Sequence, residues 1–285
     1  VIARDEGFAG IVLRMRIPRF EVLADDLHTT TIKVGAGEIW DSVVQRTVEM
    51  RLGGIEAMSA IPGTAGAAPV QNIGAYGQEV SDTLVSLEAY DSVSDRVVTL
   101  INNDCGFAYR QSIFRTTEIG RYVILNITLR LSKNLPAPPF YSSLQAYLDT
   151  HHVTSYTHQA IREAVTAIRA DKLPDPAVKP NSGSFFKNPI IEEWLYTELT
   201  TTYPDMPSYD MGGSTYKIPA GWLIEQSRFK GALLHGIRVN PAQCLVLINE
   251  SATCYQDLAD ARDEITDRIR DSYRITLEQE PLEIV

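Results

Sequence analysis

The sequence predicts an α+β fold of two domains, and three features support that prediction. Segments 83–100 and 122–131 are rich in apolar and β-branched residues and are separated by polar turns, which is typical of a mixed or antiparallel sheet. Amphipathic helical patterns flank these strands. The segment KLPDPAVKP, residues 172–180, contains three prolines, which end a helix and indicate a linker. We therefore expect domains at residues 1–172 and 173–285.

The first domain begins with predicted strands at 11–17 and 29–37 and a helix at 38–50. Apolar residues recur in that helix at helical spacing and predict its buried face: Ile39, Val43, Val44 and Val48. Strand 122–131 alternates, which places one set of side chains on a common face: Val123, Leu125, Ile127, Leu129 and Leu131. A second helix, 157–169, begins after Thr157 as N-cap and has an apolar stripe of Ile161, Val165 and Ile168.

The second domain is predicted to contain a short helix at 219–226, a buried strand at 244–249 and a long helix at 256–273. In the first domain, a proline-rich loop at 134–143 precedes the helix at 157–169.

Composition excludes several classes of function. The chain of 285 residues has a net charge of -10, which disfavours a nucleic-acid partner because phosphate binding needs a basic surface. No apolar run is long enough to span a membrane. The three cysteines have no CxxC spacing, and no metal-ligand motif is present, so we expect reduced thiols, a cytoplasmic location and no metal.

The most unusual segment is IPGTAGAAPVQNIGAYG, residues 61–77, which has four glycines among small residues. Small residues let a backbone approach a phosphate or a ring system closely, although a turn-rich connection between strands has the same composition. The segment is not a dinucleotide fingerprint of the Rossmann type. In the nearest candidate, Gly35-Ala36-Gly37, residue Trp40 stands where the third glycine is required.

Three other segments contain candidate polar residues, each with an ordinary alternative. Arg110 in YRQSIFR is either a surface charge or a fixed cation for a carboxylate. Ser184 and Lys187 in NSGSFFKNP form an SxxK pattern, which is seen in Ser-Lys hydrolases but also occurs in simple turns. Glu278 and Glu280 in LEQE share one face if the segment is a strand.

Taken in order, eight segments resemble one family, the UDP-N-acetylenolpyruvoylglucosamine reductases of peptidoglycan synthesis, known as MurB. The segments run from residue 34 to residue 280. They are VGAGEIW, IPGTAGAAPVQNIGAYG, YRQSIFR, KLPDPAVKPNSGSFFKNP, PAGWLIEQ, FKG, AQCLVLINE and LEQE. An ordered match of this length is far more specific than any single motif.

The resemblance implies a non-Rossmann FAD-binding domain, of the type found in vanillyl-alcohol oxidase (PCMH), followed by an α+β substrate-binding domain. The last few residues would return to the FAD domain. The family has a strand and a G-x-G-S-N loop ahead of the point where this sequence starts, so we expect an N-terminal part of the FAD domain to be missing. NADPH would reduce FAD, and the flavin would reduce the enolpyruvyl group of a UDP-sugar to give UDP-N-acetylmuramate.

The resemblance also implies roles for individual residues. Arg110 would stabilise developing negative charge, Ser184 would donate a proton to carbon, and Glu280 would assist. The expected cofactor-binding residues are Pro62, Gly63, Thr64, Gly66, Asn72, Gly74, Ala75, Tyr76 and Gly77. The expected substrate-binding residues are Tyr141, Lys172, Asn188, Tyr209, Lys230 and Gln243. Tyr141 would belong to a loop that marks the longer of two family subtypes and closes over substrate.

Three alternatives stay open at this point. A different flavin oxidoreductase could use the same FAD domain, a Ser-Lys hydrolase could use Ser184 and Lys187, and a binding module could hold UDP-sugars without turnover. We expect the protein to act as a monomer, with partners limited to the UDP-sugar and NADPH.

Overall fold

A computed structural model describes residues 1–284 and divides them into two units. The N-terminal unit is Leu13–Arg169, and the C-terminal unit contains Val1–Val12 together with the chain from Ala170 onward. The strands in chain order are β1 Ile2–Ala3, β2 Phe20–Asp25, β3 Thr29–Gly35, β4 Gly74–Ala75, β5 Gln78–Glu79, β6 Leu84–Asp91, β7 Arg96–Ile101, β8 Tyr122–Ser132, β9 Asn181–Ser184, β10 Ile190–Glu192, β11 Tyr209–Gly212, β12 Thr215–Lys217, β13 Leu233–Leu234, β14 Ile237–Val239, β15 Val246–Asn249 and β16 Glu283–Ile284. The α-helices are α1 Trp40–Glu49, α2 Val80–Thr83, α3 Ser142–Thr150, α4 His158–Lys172, α5 Glu193–Thr202, α6 Ala220–Gln226 and α7 Tyr255–Tyr273.

The division lies close to the predicted boundary after residue 172 but differs at the N-terminus. Residues 1–12, which the sequence analysis placed in the first domain, group with the C-terminal unit because β1 pairs in parallel with β16. The last described residues therefore belong to the C-terminal unit as well.

The N-terminal unit is built on a five-stranded antiparallel sheet in the order β2-β3-β8-β6-β7. Helix α1 buries the residues Trp40, Val43, Val44, Thr47 and Val48 in the core of this unit. A second apolar cluster joins α3 and α4 through Leu144, Leu148, Ile161, Val165 and Ile168. The predicted cap of α4 is confirmed, because Thr157 Oγ1 accepts a hydrogen bond of 3.1 Å from the Ala160 amide.

Three predictions for this unit are wrong in detail. Residues 11–19 form no strand, and the first long strand begins at Phe20. Pro18 has no N–H to donate to a ladder and so interrupts pairing just before this strand. Ile39 is 60% exposed because it is the extended N-cap of α1, outside the helical register.

The face of β8 also differs from the predicted alternation. Val123 is exposed, whereas Ile124 is buried in the core together with Ile127. The pairing with β6 shifts between Glu88 and Ala89, which inserts one extra β8 residue. A bulge of this kind changes which side chains face the core, and the pattern of residues alone does not reveal it.

The C-terminal unit contains a four-stranded antiparallel sheet, in the order β13-β14-β15-β9, and a three-stranded sheet, in the order β10-β12-β11. Its core includes side chains from α6 and α7 and the adjacent residues Phe185 and Phe186. The predicted helices 219–226 and 256–273 correspond to α6 and α7, and the predicted strand 244–249 contains β15. Within residues 1–284, no helix combines the length and apolar content that crossing a membrane requires.

Candidate functional site

The first part of the glycine-rich loop is fastened to the chain around α1. The Trp40 amide donates to the Gly63 carbonyl at 3.1 Å, and the Ala65 amide donates to the Glu38 carbonyl at 2.8 Å. Thr64 pairs with Ile39 in an isolated bridge between these two bonds. At Gly66 a Cβ atom would lie 2.5 Å from the Ala36 Cβ, so only glycine allows this approach.

Two other glycines leave open space beside the backbone. Gly63 has φ +115° and Gly77 has φ +89°, and neither would place a Cβ atom within 4 Å of another atom. Pro62, Gly63 and Gly77 are exposed. Tyr76 and Gly77, both with positive φ, form the turn of the β4-β5 hairpin, which contains Ala75. This bare, exposed backbone suits the close approach of a flat ring or a phosphate.

Asn72 joins the loop to two other segments through its side chain. It is 1% exposed and lies in the left-handed region at φ 46°. Its Nδ2 donates to Glu79 Oε2 at 2.8 Å and to the Ala108 carbonyl at 3.2 Å, and its Oδ1 accepts from the Ser81 amide at 3.0 Å. The expected cofactor contact of Asn72 stays a prediction, and its visible role is structural.

Segment 109–115 lies against the glycine-rich loop, so the structure brings two of the predicted motifs together. Arg110 Nη2 donates to the Gly74 carbonyl at 2.6 Å, and the Arg110 guanidinium lies 5.2 Å from the centroid of the Tyr109 ring. Farther along, the Ser112 hydroxyl donates to the Val70 carbonyl, and Arg115 donates to the Gln71 side chain. Arg110 is therefore half-buried and held in place, which differs from an ordinary surface arginine.

Tyr76 and the predicted lid residue Tyr141 are neighbours within the N-terminal unit. Their rings meet edge to face, with centroids 6.0 Å apart. Burial raises the pKa of the Tyr76 hydroxyl, while the positive charge of Arg169 acts in the opposite direction. Tyr141 itself is 41% exposed, just before the first turn of α3.

Arg169 is a residue that the sequence analysis missed. Its Nε is buried and has no hydrogen-bond partner in the part of the chain that the structure describes, and burial lowers its pKa. The sequence does indicate this partial burial, because Arg169 follows Ile161 and Val165 at helical spacing and therefore lies beside the apolar stripe of α4.

In the C-terminal unit, backbone pairing joins the segment after Ser184 to the segment that contains Glu280. The Glu280 amide donates to the carbonyl of Phe185, the residue after Ser184, at 2.8 Å. The Lys187 amide donates to the Glu278 carbonyl at 2.9 Å, and Phe186 and Gln279 are bridge partners between these bonds. Ser184 ends β9, whose other edge pairs with β15.

The lysine of the SxxK pattern is engaged by an acid. Lys187 Nζ donates to Glu278 Oε2 at 2.9 Å, and the lysine side chain is 16% exposed. A Ser-Lys hydrolase would need this amine as a base for Ser184. The pairing therefore gives the hydrolase alternative no support.

Three expected substrate-binding residues surround α6. Asn188 Oδ1 accepts from the Ala220 amide at 2.9 Å, in the first turn of the helix. Gln243 Oε1 lies 3.1 Å from the position that a Gly221 Cβ would occupy. Lys230 Nζ donates to Glu225 Oε1 at 2.7 Å, and this hydrogen bond raises the pKa of Lys230.

The other two expected substrate-binding residues of this unit lie elsewhere in it. The Lys172 carbonyl accepts from Asn240 Nδ2 at 3.1 Å. Tyr209 is in β11, 36% exposed, with Lys217 Nζ 5.3 Å from its ring centroid. Throughout residues 1–284, no group of three or more histidine, cysteine, aspartate or glutamate residues could hold a metal ion.

Comparisons with known proteins agree with the resemblance seen in the sequence. Residues 175–284 match a family described as "UDP-N-acetylenolpyruvoylglucosamine reductase, C-terminal domain", and residues 1–100 match a family described as "FAD binding domain". A UDP-N-acetylenolpyruvoylglucosamine reductase from Dechloromonas aromatica (strain RCB) is 38% identical over 96% of this chain and 82% of its own length. The enzyme of the same name from Ralstonia nicotianae (strain ATCC BAA-1114 / GMI1000) is 40% identical over 100% of this chain and 83% of its own length.

A solved structure supports the fold. The chain aligns with the UDP-N-acetylenolpyruvylglucosamine reductase (MurB) from Thermus caldophilus with a TM-score of 0.59 at 19% identity. The alignment covers 89% of this chain and 72% of that one. The predicted combination of an FAD-binding domain and a separate α+β domain is confirmed.

Proposed function

The chain belongs to the UDP-N-acetylenolpyruvoylglucosamine reductase family, and from that membership we propose that it reduces UDP-N-acetylenolpyruvoylglucosamine to UDP-N-acetylmuramate in peptidoglycan synthesis, using FAD and NADPH. The observation that carries the proposal is the backbone pairing that holds Glu280 beside the strand of Ser184, inside the matched C-terminal domain. The reaction needs a proton donor and a group that assists it, and the pairing supports Ser184 and Glu280 in these roles because it joins the two segments that contain them.

The glycine-rich loop fits FAD. Gly63 and Gly77 present open backbone at positive φ, and no side chain obstructs either position. Such a surface accepts phosphates or the flat flavin ring, so we assign the loop residues Pro62, Gly63, Thr64, Gly66, Gly74, Ala75, Tyr76 and Gly77 to cofactor binding. When bound and reduced by NADPH, FAD supplies the hydride for the terminal carbon of the enolpyruvyl double bond.

Arg110 has an electrostatic role in this proposal. Hydride addition leaves negative charge on the carbon beside the substrate carboxylate, delocalised as an enolate. The Arg110 guanidinium, oriented by its bond to the Gly74 carbonyl, is a fixed cation for that charge. A cation that is already in position need not reorganise during the reaction, and this lowers the barrier.

Ser184 donates the proton that completes the reduction. Its O–H bond breaks as a C–H bond forms at the carbon that carries the negative charge, and Glu280 assists the serine. Proton transfer from Ser184 to the carbon requires that the serine be held in place, and strand β9 holds it through its pairing with β15. The serine then recovers its proton from solvent or from Glu280.

The UDP portion of the substrate calls for cations and directional donors. We assign Lys172, Asn188, Tyr209, Lys230 and Gln243 in the C-terminal unit to that portion, and Tyr141 to a closing loop of the longer subtype. Lysine suits a phosphate as a point charge, and the amide of Gln243 suits a uracil edge. The ion pair of Lys230 with Glu225 gives way to phosphate in this proposal. We further propose that the protein acts in the cytoplasm as a monomer.

An anaerobic absorbance experiment tests the proposed function. The protein is loaded with FAD, NADPH is added, and the flavin bands are followed in the visible range. We expect the bands to bleach and to return when UDP-N-acetylenolpyruvoylglucosamine is added. Bands that bleach but do not return with this substrate favour a different flavin oxidoreductase, and a protein that takes up no FAD contradicts the flavoenzyme assignment.

A further inference from the structure

The chain around Arg110 adopts a strained turn. The Gln111 amide donates to the Ala108 carbonyl at 3.0 Å, and the Ala108 amide donates to the Gln111 carbonyl at 3.2 Å. Arg110 occupies the third position of this turn at φ 54°, where glycine is the ordinary residue. A left-handed conformation at a residue other than glycine costs about 1 kcal/mol and persists only when neighbouring groups hold it.

The Asn72 side chain donates to the Ala108 carbonyl, which also accepts the hydrogen bond that closes this turn. The Ala108 oxygen accepts from both the Gln111 amide and Asn72 Nδ2, so Asn72 fastens the turn two residues before Arg110. Asn72 is fixed in return, because its Oδ1 accepts from the Ser81 amide. Since its side chain is 1% exposed, water competes little for these bonds.

The same asparagine also holds an acid near the Arg110 guanidinium. Asn72 Nδ2 donates to Glu79 Oε2 at 2.8 Å. The position that a Gly74 Cβ would occupy lies 2.7 Å from Glu79 Cγ and 3.2 Å from Arg110 Nη1. Glu79 and the guanidinium therefore flank Gly74 closely, and the Gly74 carbonyl accepts from the other guanidinium nitrogen.

We infer that Asn72 is a positioning residue for Arg110, acting through the Ala108 carbonyl and the Glu79 carboxylate. The inference rests on the proposed function, because it assigns Arg110 to the substrate's developing charge. Removing the Asn72 side chain loosens both the strained turn and the acid beside the guanidinium. A shift of the guanidinium by about 1 Å is enough to slow a reaction by about a hundredfold.

Two substitutions separate the side chain of Asn72 from its backbone conformation. Asn72→Gly removes all three hydrogen bonds and still accepts the left-handed conformation without strain. Asn72→Ala removes the same bonds without adding a charge beside Glu79 or the flexibility of glycine, at a backbone cost of about 1 kcal/mol, so it covers the case in which the glycine variant folds poorly. Asn102→Ala is the matched control, since it removes two side-chain bonds to the Ser81 and Leu84 carbonyls.

The measurement is stopped-flow absorbance of the FAD-loaded protein, with flavin reduction by NADPH and flavin reoxidation by the enolpyruvyl substrate recorded separately. We expect both Asn72 variants to slow reoxidation about tenfold to a hundredfold and to change reduction by less than about twofold. The thermal unfolding temperature of each variant is measured in parallel with these rates. Asn102→Ala is expected to lower the unfolding temperature by a similar amount while leaving reoxidation unchanged.

A double variant distinguishes positioning from a merely structural role. Arg110→Ala alone is expected to slow reoxidation about a hundredfold to a thousandfold. If Asn72 acts through Arg110, adding Asn72→Gly to Arg110→Ala slows reoxidation no further than about threefold. Multiplied effects, or equal slowing of both half-reactions by the Asn72 variants, overturn the positioning role. A normal reoxidation rate in Arg110→Ala overturns the proposed role of Arg110 as well, so the two failures are distinguishable.

Discussion

The Glu280 amide donates a hydrogen bond of 2.8 Å to the carbonyl of Phe185. Because Phe185 directly follows Ser184, this bond fixes the register between the segment of Glu280 and the segment of Ser184. The bond from the Lys187 amide to the Glu278 carbonyl holds the same register. Backbone atoms alone make these contacts, so side-chain substitutions at Ser184 leave the pairing intact and report on chemistry.

Ser184→Ala is expected to slow reoxidation of the flavin by the enolpyruvyl substrate by about 10² to 10⁴, the usual contribution of a general acid. Reduction by NADPH is expected to stay within about twofold. Stopped-flow absorbance of the two half-reactions makes the measurement. The matched control is Ser182→Ala, an exposed serine of the same strand. Equal rates in the wild type and Ser184→Ala contradict the assignment of the proton donor.

Lys230→Ala is expected to raise KM for the UDP-sugar about tenfold to a hundredfold with kcat changed by less than about threefold, because a charge-assisted bond to phosphate contributes about 1.5–3 kcal/mol. Steady-state kinetics gives both constants. Glu225→Gln is the control, since it removes the partner that Lys230 has in this structure. A KM that does not change on Lys230→Ala removes the lysine from the phosphate site.

Gly77→Ala is expected to weaken FAD binding at least about tenfold by placing a methyl group in the open space beside the loop. Gly120→Ala is the matched control because Gly120 has φ +76°, is also unobstructed and lies outside the loop. Both variants are expected to lower the free energy of unfolding by about 1 kcal/mol through backbone strain. Flavin absorbance after gel filtration measures retention, and equal retention in the two variants argues against a cofactor surface at Gly77.

The ion pair of Asp41 and Arg162 is expected to make the N-terminal unit sensitive to acid. Arg162 donates to the two carboxylate oxygens at 2.6 and 2.9 Å, which holds the pKa of Asp41 below its ordinary value of 3.8. A carboxyl whose pKa is lowered by folding stabilises the protein above the unfolded pKa. This contribution is lost as the pH falls below about 4 toward the lower folded pKa.

Asp41→Asn tests that linkage. We expect it to lower the free energy of unfolding at pH 7 by about 1–2 kcal/mol, a value reduced for the partial exposure of Asp41, and to flatten the loss of stability below about pH 4. Urea unfolding at pH 3, 4, 5 and 7 makes the measurement. Glu21→Gln breaks the exposed pair with Arg19 and is expected to change stability by less than about 1 kcal/mol. If the free energy of unfolding falls as steeply below about pH 4 in Asp41→Asn as in the wild type, the Asp41–Arg162 pair does not cause the acid sensitivity.

Local patterns predicted most of the helices and several strands within each unit. Helix α4 and its Thr157 cap, α6, α7 and the strand pair β6-β7 follow from spacing, capping residues and turns, because each of these signals acts over a few residues. The composition of the glycine-rich loop and the arginine of segment 109–115 also indicate candidate binding segments from sequence alone. What spacing could not give is that the two lie against each other through Arg110 and Gly74, since this contact joins residues 36 positions apart.

The sequence by itself determined the α+β class, the family and the chemistry that its motifs imply, because ordered motifs and periodicity are written along the chain. Only the tertiary structure decided the bulge that exposes Val123 and the coil at residues 11–19. It alone placed the Arg169 Nε in a buried position and Asn72 at the centre of three segments. The physical reason is the same in each case: burial and hydrogen-bond partners depend on which distant segments meet, and local propensity does not encode such contacts.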